Sequence, residues 1–418
     1  MSARLNNLGI VLFFSLVSAS YVHSQSLEFP YEIPQYDFIH YDRNRFQFEE
    51  DSSFYLNFLA KFSRLISEGS GQISVVHIGG SHLQADIYTD RIRGRFQTFQ
   101  PGNNGGRGFI FPYSVARTNN PPNYKVSYTG RWSSCKNTQE KKKCLLGLSG
   151  ISVTTTDTAA RISITFPAAN TVPYDFNRVR VFYLADSLSF DCAIHCSATV
   201  TGTDRSRPGC ISFVLDSYSD SLIFSLVKTT NIQQRFTLLG ISLETDDPGL
   251  IYQAVGVNGA KVPSFLRCSL LPDQLAGLSA DLVVLSLGTN DAYTRYFNVE
   301  SYRQHYDTLI RKIRTALPEA AILLTVPNDS YLYRRYTNAN TEKVREVILE
   351  LGREHHCGVW DFYGIMGGLN SIIVWQRFGL AKRDRIHFTR KGYTLKGDLF
   401  FNAFLNSYDD YIDKRPLD

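Results

Sequence analysis

Hydrophobic and polar positions follow three different patterns along this chain. In residues 72–116, a short apolar run at 73–78 stops at two glycines, and apolar positions at helical spacing follow at 86–96. This order predicts a strand, a tight turn and a helix, because glycine lets the backbone bend sharply where a strand ends. The segment therefore has the texture of an α/β domain.

The same texture returns in residues 251–418. Continuous apolar runs at 282–287 and 321–326 have the length and composition of strands that are buried on both faces. Helical faces at 301–317 and 344–351 alternate with these runs. This alternation predicts an α/β fold with a doubly wound parallel sheet between two layers of helices, a flavodoxin-like three-layer arrangement.

Residues 117–250 have a different pattern. Short alternations of apolar and polar residues recur there, separated by turn residues, and no long helical face interrupts them. Alternation with a period of two is typical of strands that bury one face. We therefore predict an antiparallel β-sandwich that is inserted between the two parts of the α/β domain, at 72–116 and 251–418.

The N-terminal region predicts export. Arg4 precedes an apolar run at 8–17, which is too short to span a bilayer but is typical of a secretory signal peptide. We expect residues 1–24 to be removed, and the mature protein to be periplasmic, outer-membrane-associated or secreted in a bacterium. Residues 25–71 then form a surface arm and an amphipathic helix at 54–66, and no transmembrane segment is predicted.

Charge and cysteine content narrow the function classes. The 44 Lys and Arg nearly balance the 39 Asp and Glu, and the basic run at 141–143 has no interleaved aromatics, so nucleic-acid binding is not predicted. Seven cysteines in an exported chain predict disulfides. The candidates by proximity are Cys135 with Cys144, and two of Cys192, Cys196 and Cys210. No Cys-x-x-Cys pair occurs, and we predict neither a metal site nor a cofactor.

Candidate chemistry lies where the predicted strands end. Ser81 follows two glycines directly after the first apolar run, and at such a turn its hydroxyl projects from the strand end. Asn290 follows the apolar run at 282–287 and can point an amide donor to the same edge of the sheet. Gly259 lies in a glycine turn whose N–H can share an oxyanion with Asn290.

A carboxylate and a histidine complete this set near the C-terminus, where Asp384 and His387 stand three residues apart. The spacing lets the carboxylate hold imidazole Nδ1 while Nε2 faces outward to take a proton from a serine. Taken singly, each motif has an ordinary structural explanation: Ser81 as a helix cap, the Asn290 segment as a turn, and His387 as a structural histidine. Their order along the chain favours a nucleophilic site.

With these motifs the chain resembles the SGNH, or GDSL-type, hydrolases, whose four sequence blocks supply serine, glycine, asparagine and histidine. The resemblance covers roughly 72–112 and 251–405. It is nearest to exported bacterial members with a β-sandwich between the first two blocks and Gly-Tyr after the triad histidine, here Gly392-Tyr393. These members include peptidoglycan O-acetylesterases, whose inserted domain is carbohydrate-binding-like.

The resemblance implies an exported serine esterase that hydrolyses O-acetyl or other short acyl esters on a carbohydrate, with O-acetylated peptidoglycan as the expected substrate. It implies Ser81 as the nucleophile and His387 and Asp384 as the rest of the triad. The implied oxyanion donors are Ser81, Gly259 and Asn290.

Two further residues are candidate substrate contacts. His82 is the neighbour of Ser81 in sequence, and Arg107 lies in the glycine-rich loop 101–108. That loop lacks the Gly-Lys-Ser/Thr ending of a nucleotide-binding loop, so we expect it beside the esterase site instead.

Two alternative functions stay open, one because the chain departs from the family at one position and the other because of the chemistry of the acyl-serine. The family has an aspartate that braces the nucleophile turn, at the position where this chain has Gly80. A catalytically weakened, glycan-binding protein is therefore one alternative. A carbohydrate O-acetyltransferase is the other, since it uses the same acyl-serine and differs only in whether water or a sugar hydroxyl accepts the acyl group.

Overall fold

The computed structural model describes residues 32–48, 52–168, 170 and 172–414, and the predicted signal peptide lies outside them. In chain order the strands are β1 (Gln72–Gly79), β2 (Gly108–Ile110), β3 (Lys125–Tyr128), β4 (Ser133–Lys136), β5 (Ile151–Thr155), β6 (Arg161–Thr165), β7 (Phe176–Tyr183), β8 (Asp191–His195), β9 (Val200–Asp204), β10 (Cys210–Ser219), β11 (Ser221–Val227), β12 (Phe236–Glu244), β13 (Gly249–Gly256), β14 (Leu282–Ser286), β15 (Ala321–Thr325), β16 (Tyr331–Leu332), β17 (Tyr336–Thr337) and β18 (Gly358–Trp360). The helices are α1 (Ser53–Glu68), α2 (Ser81–Gln84), α3 (Tyr88–Gln97), α4 (Val262–Leu266), α5 (Leu271–Gly277), α6 (Thr289–Ala292), α7 (Val299–Ala316), α8 (Asn340–Glu354), α9 (Phe362–Ile365), α10 (Ser371–Arg377) and α11 (Arg390–Asp413).

Five strands form a parallel sheet in the spatial order β13-β1-β14-β15-β18. The central strands β1 and β14 and the edge strand β13 are buried along almost their whole length. Burial on both faces explains why apolar residues occupy adjacent positions in these strands instead of alternating with polar ones. Helices pack around this sheet in two groups, one of α1, α3 and α11 and one of α4, α5, α7 and α8.

Aromatic contacts hold the first helix group together. The ring of Phe62 in α1 lies 6.1 Å from that of Phe96 in α3 and 4.8 Å from that of Phe404 in α11, measured between centroids. In the second group, α7 buries the apolar face that its sequence predicts, including Tyr306 and Leu309. The predicted doubly wound α/β fold is confirmed.

The middle of the chain forms two antiparallel sheets. One has the order β4-β5-β12-β7-β10-β9, with β2 also paired to β12, and the other has the order β3-β6-β11-β8. They pack face to face through alternate side chains, such as Phe224 of β11 and Phe236 of β12, whose ring centroids lie 5.3 Å apart. The predicted β-sandwich is therefore present, and because β2 joins it, its sheet begins before residue 117.

Part of the predicted surface arm is instead built into the fold. In the described segment 32–48, Gln47 forms an antiparallel bridge with Val359 of β18. Phe46 is buried, and its ring lies 5.1 Å from that of Phe400 in α11. This segment covers the exposed edge of the parallel sheet, a role that its irregular sequence pattern did not indicate.

The two disulfide predictions have different outcomes. Cys135 and Cys144 are joined, with their Cα atoms 6.6 Å apart. Cys192, Cys196 and Cys210 form no disulfide, so the second prediction is wrong. Cys192 lies on β8 and Cys210 on β10, and these strands belong to different sheets. Cysteines that are near one another in sequence are therefore not bonded in the fold.

Candidate active site

Three strand ends meet at one edge of the parallel sheet. Gly79 of β1 is paired in register with Gly256 of β13 on one side and with Ser286 of β14 on the other. The three strands therefore end at the same level. The segments that follow them carry Ser81, Gly259 and Asn290, at the carboxyl ends of the strands where open α/β sheets hold their ligands.

Ser81 begins the short helix α2 directly after the turn. A close approach of backbones makes this turn possible, since a Cβ on Gly256 would lie 2.3 Å from the backbone nitrogen of Gln84 and 2.5 Å from the carbonyl oxygen of Gly80. Because Ser81 is the first residue of a helix, its N–H has no acceptor within that helix and is suited to face a ligand.

Ser81, His387 and Asp384 form a continuous chain of hydrogen bonds. Ser81 Oγ lies 2.9 Å from His387 Nε2, and His387 Nδ1 lies 2.9 Å from Asp384 Oδ2. With Nδ1–H donating to the carboxylate, Nε2 is left as the acceptor for the serine hydroxyl. This arrangement can remove a proton from Ser81 and stabilise the resulting imidazolium.

Asp384 is held in its ionised form. Partial burial would raise its pKa, but the His387 ring and the backbone N–H groups of His387 and Ile386 all donate to its carboxylate and hold the pKa of Asp384 well below its usual range. The carboxylate is therefore charged at any pH at which the protein would work, and it fixes both the orientation and the tautomer of the imidazole.

Asn290 stands beside the nucleophile turn. Its Nδ2 donates to the carbonyl oxygen of Ala260 at 3.0 Å, and a Cβ on Gly80 would lie 3.0 Å from the same nitrogen. A side chain at residue 80 would thus crowd the amide of Asn290 in its present position.

The turn that carries Gly259 is braced by Gln84, a residue that no sequence motif marks as functional. Gln84 Oε1 accepts a hydrogen bond of 2.8 Å from the N–H of Asn258, while its Nε2 donates to Thr118 and to Asn119. Gly259 itself has a φ of +79°, which favours glycine, and is exposed at the turn. Gln84 follows the nucleophile by three residues, but only the fold shows which turn it supports.

His82 is not placed to bind substrate, contrary to the prediction. It is buried, with 7% of its surface exposed, and its Nδ1 lies 2.9 Å from the hydroxyl of Tyr393. Its ring centroid is 5.0 Å from that of His387. Burial, together with the nearby charges of His387 and Lys396, lowers the pKa of His82 well below its usual value, so His82 is a neutral support behind His387.

Arg107 is also not available for substrate, because it is 1% exposed and ion-paired with Asp86 at 2.5 Å. Asp86 accepts from Arg93 as well, and its backbone φ of +44° interrupts the single helix that was predicted at 86–96. Despite the burial of Asp86, these two arginines hold the pKa of its carboxyl below the usual value. Arg107 therefore belongs to a buried charge cluster beneath the site.

Residues 236–395 match the family model described as the GDSL-like Lipase/Acylhydrolase family. The matched region includes Gly259, Asn290, Asp384 and His387, whereas Ser81 lies before it. Together with the fold, this match identifies a GDSL-like hydrolase domain in the chain, a domain that belongs to carboxylic ester hydrolases.

The structure is similar to one described as a peptidoglycan O-acetylesterase, with a TM-score of 0.69 and 22% sequence identity over 84% of this chain and 96% of that chain. It is also similar, with a TM-score of 0.31, to the acetyl xylan esterase AlAXEase, at 20% identity over 37% of this chain and 80% of that one. Axe2, an acetylxylan esterase from Geobacillus stearothermophilus, gives a TM-score of 0.31 at 16% identity, over 38% of this chain and 73% of that one. A sequence search of curated proteins finds no match. Within the described residues, none of the helices combines the length and the apolar character that crossing a membrane requires.

Proposed function

We propose that this protein is an exported serine esterase that removes O-acetyl groups from a carbohydrate, with peptidoglycan as the substrate. The observation that carries the proposal is the hydrogen-bonded chain from Ser81 Oγ through His387 to Asp384, with two bonds of 2.9 Å. The overall similarity to a structure described as a peptidoglycan O-acetylesterase supports the choice of substrate.

The proposed reaction begins when His387 Nε2 removes the proton of Ser81 and Oγ attacks the carbonyl carbon of the acetyl ester. The tetrahedral intermediate carries a negative charge on oxygen, which the N–H groups of Ser81 and Gly259 and the amide of Asn290 stabilise. His387 then returns its proton to the departing sugar hydroxyl. Acetyl-serine remains.

Water completes the proposed cycle. With the sugar gone, His387 acts as the general base for a water molecule that attacks the acyl carbon, and the collapse of the second tetrahedral intermediate releases acetate and restores the Ser81 hydroxyl. Asp384 stays ionised throughout and stabilises the imidazolium that forms in each half of the reaction.

Two observations support export. The apolar run at 8–17 has the composition of a signal peptide. The Cys135–Cys144 disulfide is of a kind that persists in oxidising compartments and is rare in a reducing cytosol.

The test is acetate release from O-acetylated peptidoglycan and from p-nitrophenyl acetate by the wild type, Ser81→Ala and the matched control Ser127→Ala, whose serine is exposed on β3. We expect Ser81→Ala to lower kcat by a factor on the order of 10⁴ or more, and Ser127→Ala to be unchanged. Equal rates for Ser81→Ala and wild type would remove the proposal. A fluorophosphonate probe should label the wild type at Ser81 and leave Ser81→Ala unlabelled.

A further inference from the structure

A short hairpin connects the two sides of the candidate site. β16 and β17 are paired by Tyr331 with Thr337 and by Leu332 with Tyr336. On one side, the N–H of Tyr333 donates to the hydroxyl of Tyr293, three residues after Asn290, at 2.9 Å. On the other side, the N–H of Tyr331 donates at 3.0 Å to the carbonyl oxygen of Arg385, which lies between Asp384 and His387. The hairpin therefore lies at the mouth of the site.

Tyrosine rings are exposed on this hairpin. Tyr333 and Tyr336 are 49% and 54% exposed, and the ring of Tyr333 lies 5.5 Å from that of Tyr293, measured between centroids. We call these three residues the tyrosine face. Exposed aromatic rings grouped beside a catalytic site are typical of a binding surface rather than of a folding core.

The turn of the hairpin has an uncommon backbone conformation. Tyr333 and Arg334 have φ values of +51° and +64°, and Arg385, in the triad loop that the hairpin contacts, has a φ of +56°. None of the three is glycine, so each adopts a conformation that its side chain disfavours. Such positions concentrate at functional sites, where the surrounding structure holds them in place.

Basic residues are frequent in the segments around the tyrosine face. They come from the three segments that form the mouth: Arg295, Arg334, Arg335, Lys382, Arg383 and Arg385. We call these six residues the cationic rim. None of them forms an ion pair with any residue in the part of the chain that the structure describes, whereas arginines elsewhere, such as Arg91 and Arg345, are paired with carboxylates.

Neither of the two acidic residues in these segments is ion-paired with the rim. Asp291 is buried and accepts from the N–H of Val262, and Asp384 is held by His387. The guanidinium of Arg295 lies over the rings of Tyr333 and Tyr336 instead, with its carbon 5.7 and 6.0 Å from their centroids. Positive charge that is not ion-paired, beside a catalytic site, attracts anionic ligands and favours their binding.

From this juxtaposition we propose that the tyrosine face and the cationic rim form a subsite for a carboxylate-bearing glycan. A sugar ring packs on Tyr333 and Tyr336, and a carboxylate on that sugar, or on a peptide attached to it, pairs with Arg295, Arg334 or Arg335. The inference rests on the proposed esterase function and narrows its substrate class to acidic glycans.

The experiment compares four acetylated substrates. The first two are O-acetylated peptidoglycan fragments, one with its stem peptides and one from which the peptides have been removed. The third is an acetylated uronic-acid oligosaccharide, which carries the carboxylate on the sugar. The fourth is an acetylated xylo-oligosaccharide, which is neutral. Each kcat/KM is divided by the kcat/KM for p-nitrophenyl acetate, which has no glycan. A lower fraction of folded enzyme reduces both values equally and therefore leaves this ratio unchanged. The proteins are the wild type, Arg334→Gln/Arg335→Gln and the control Arg353→Gln, an exposed position on α8.

We expect the wild type to prefer acidic over neutral glycans, and the double variant to lose about tenfold of this preference through a higher KM. High salt should have a similar effect on the wild type, and Arg353→Gln should have none. A preference that survives removal of the stem peptide assigns the carboxylate to the sugar, and one that disappears assigns it to the peptide.

Two results would overturn the inference: equal normalised rates of the wild type on acidic and neutral glycans, or a double variant that slows both by the same factor. Either result leaves the proposed function standing, provided that acetate release still requires Ser81. Acetate release by Ser81→Ala would instead remove the proposed function itself.

Discussion

A buried lysine behind the candidate site gives a prediction with a calculable magnitude. Lys396 of α11 is 5% exposed, and its ammonium lies 4.5 Å from the ring centroid of Phe362 and 4.7 Å from that of Tyr88. No carboxylate among the described residues is ion-paired with it. Burial lowers the pKa of Lys396 from 10.5 to about 7, because removal from water disfavours the charged form.

The sign of the effect on stability follows from where the proton binds. The unfolded chain holds the Lys396 proton up to pH 10.5, whereas the folded chain releases it near pH 7, so burying this amine opposes folding. The penalty is complete below pH 7 and shrinks as the pH rises toward 10.5, so stability rises with pH across this window. For these two pKa values the penalty is about 5 kcal/mol at pH 6 and about 2 kcal/mol at pH 9.

Lys396→Met removes the charge and keeps a long, flexible apolar side chain in the same space. We expect the free energy of unfolding to increase, and the increase to be about 3 kcal/mol larger at pH 6 than at pH 9, as measured by urea denaturation. Lys343→Met, at an exposed position on α8, is the matched control and should change stability by less than about 0.5 kcal/mol at both pH values.

The prediction is tested by comparing the change in the free energy of unfolding at the two pH values. If Lys396→Met stabilises the protein equally at pH 6 and pH 9, the pKa of Lys396 does not differ between the folded and the unfolded protein, contrary to what its burial implies. If the variant is less stable than the wild type at pH 6, the contacts with the aromatic rings outweigh the loss of hydration.

Two further substitutions test the geometry around the nucleophile. Asn290→Ala should lower kcat for p-nitrophenyl acetate by about 10²- to 10³-fold with little change in KM, because the amide is proposed to act only on the transition state; a change confined to KM would contradict this role. Asp86→Asn should lower the free energy of unfolding by about 3–5 kcal/mol, since Arg107 would stay buried without its counter-charge and Arg93 would keep only Asp90. Urea denaturation measures the second effect, and a loss below about 1 kcal/mol would argue against a buried charge cluster.

The hydrophobic pattern predicted the α/β fold because β1 and β14 are buried on both faces, so that apolar residues occupy adjacent positions in them, as at Val75-Val76 and Leu282–Leu285. The sandwich was recognisable for the opposite reason, since its strands alternate buried and exposed positions, as at Arg161–Thr165. The segment 32–48 was misinterpreted because its contact with the sheet depends on the distant β18, which no local periodicity reveals.

The polar residues were harder to predict than the apolar ones. Ser81, Asp384 and His387 were recognisable from short motifs, since strand ends and a three-residue spacing are local properties of the chain. Arg107 and His82 lie near such motifs too, but the first is paired with Asp86 and the second bonds Tyr393. Whether a charged or polar side chain faces a pocket or the interior depends on its partners in three dimensions.

From its sequence alone, this chain specified a doubly wound α/β fold with an inserted sandwich and the residue types of an esterase. Only the tertiary structure decided that Gln84 braces the Gly259 turn, and that Tyr333 and Arg334 stand at the mouth of the site. The physical reason is the separation in sequence between the residues that interact. Strand and helix periodicity is set by neighbouring residues, whereas a hydrogen bond or an ion pair joins groups that the folded chain brings together from any separation.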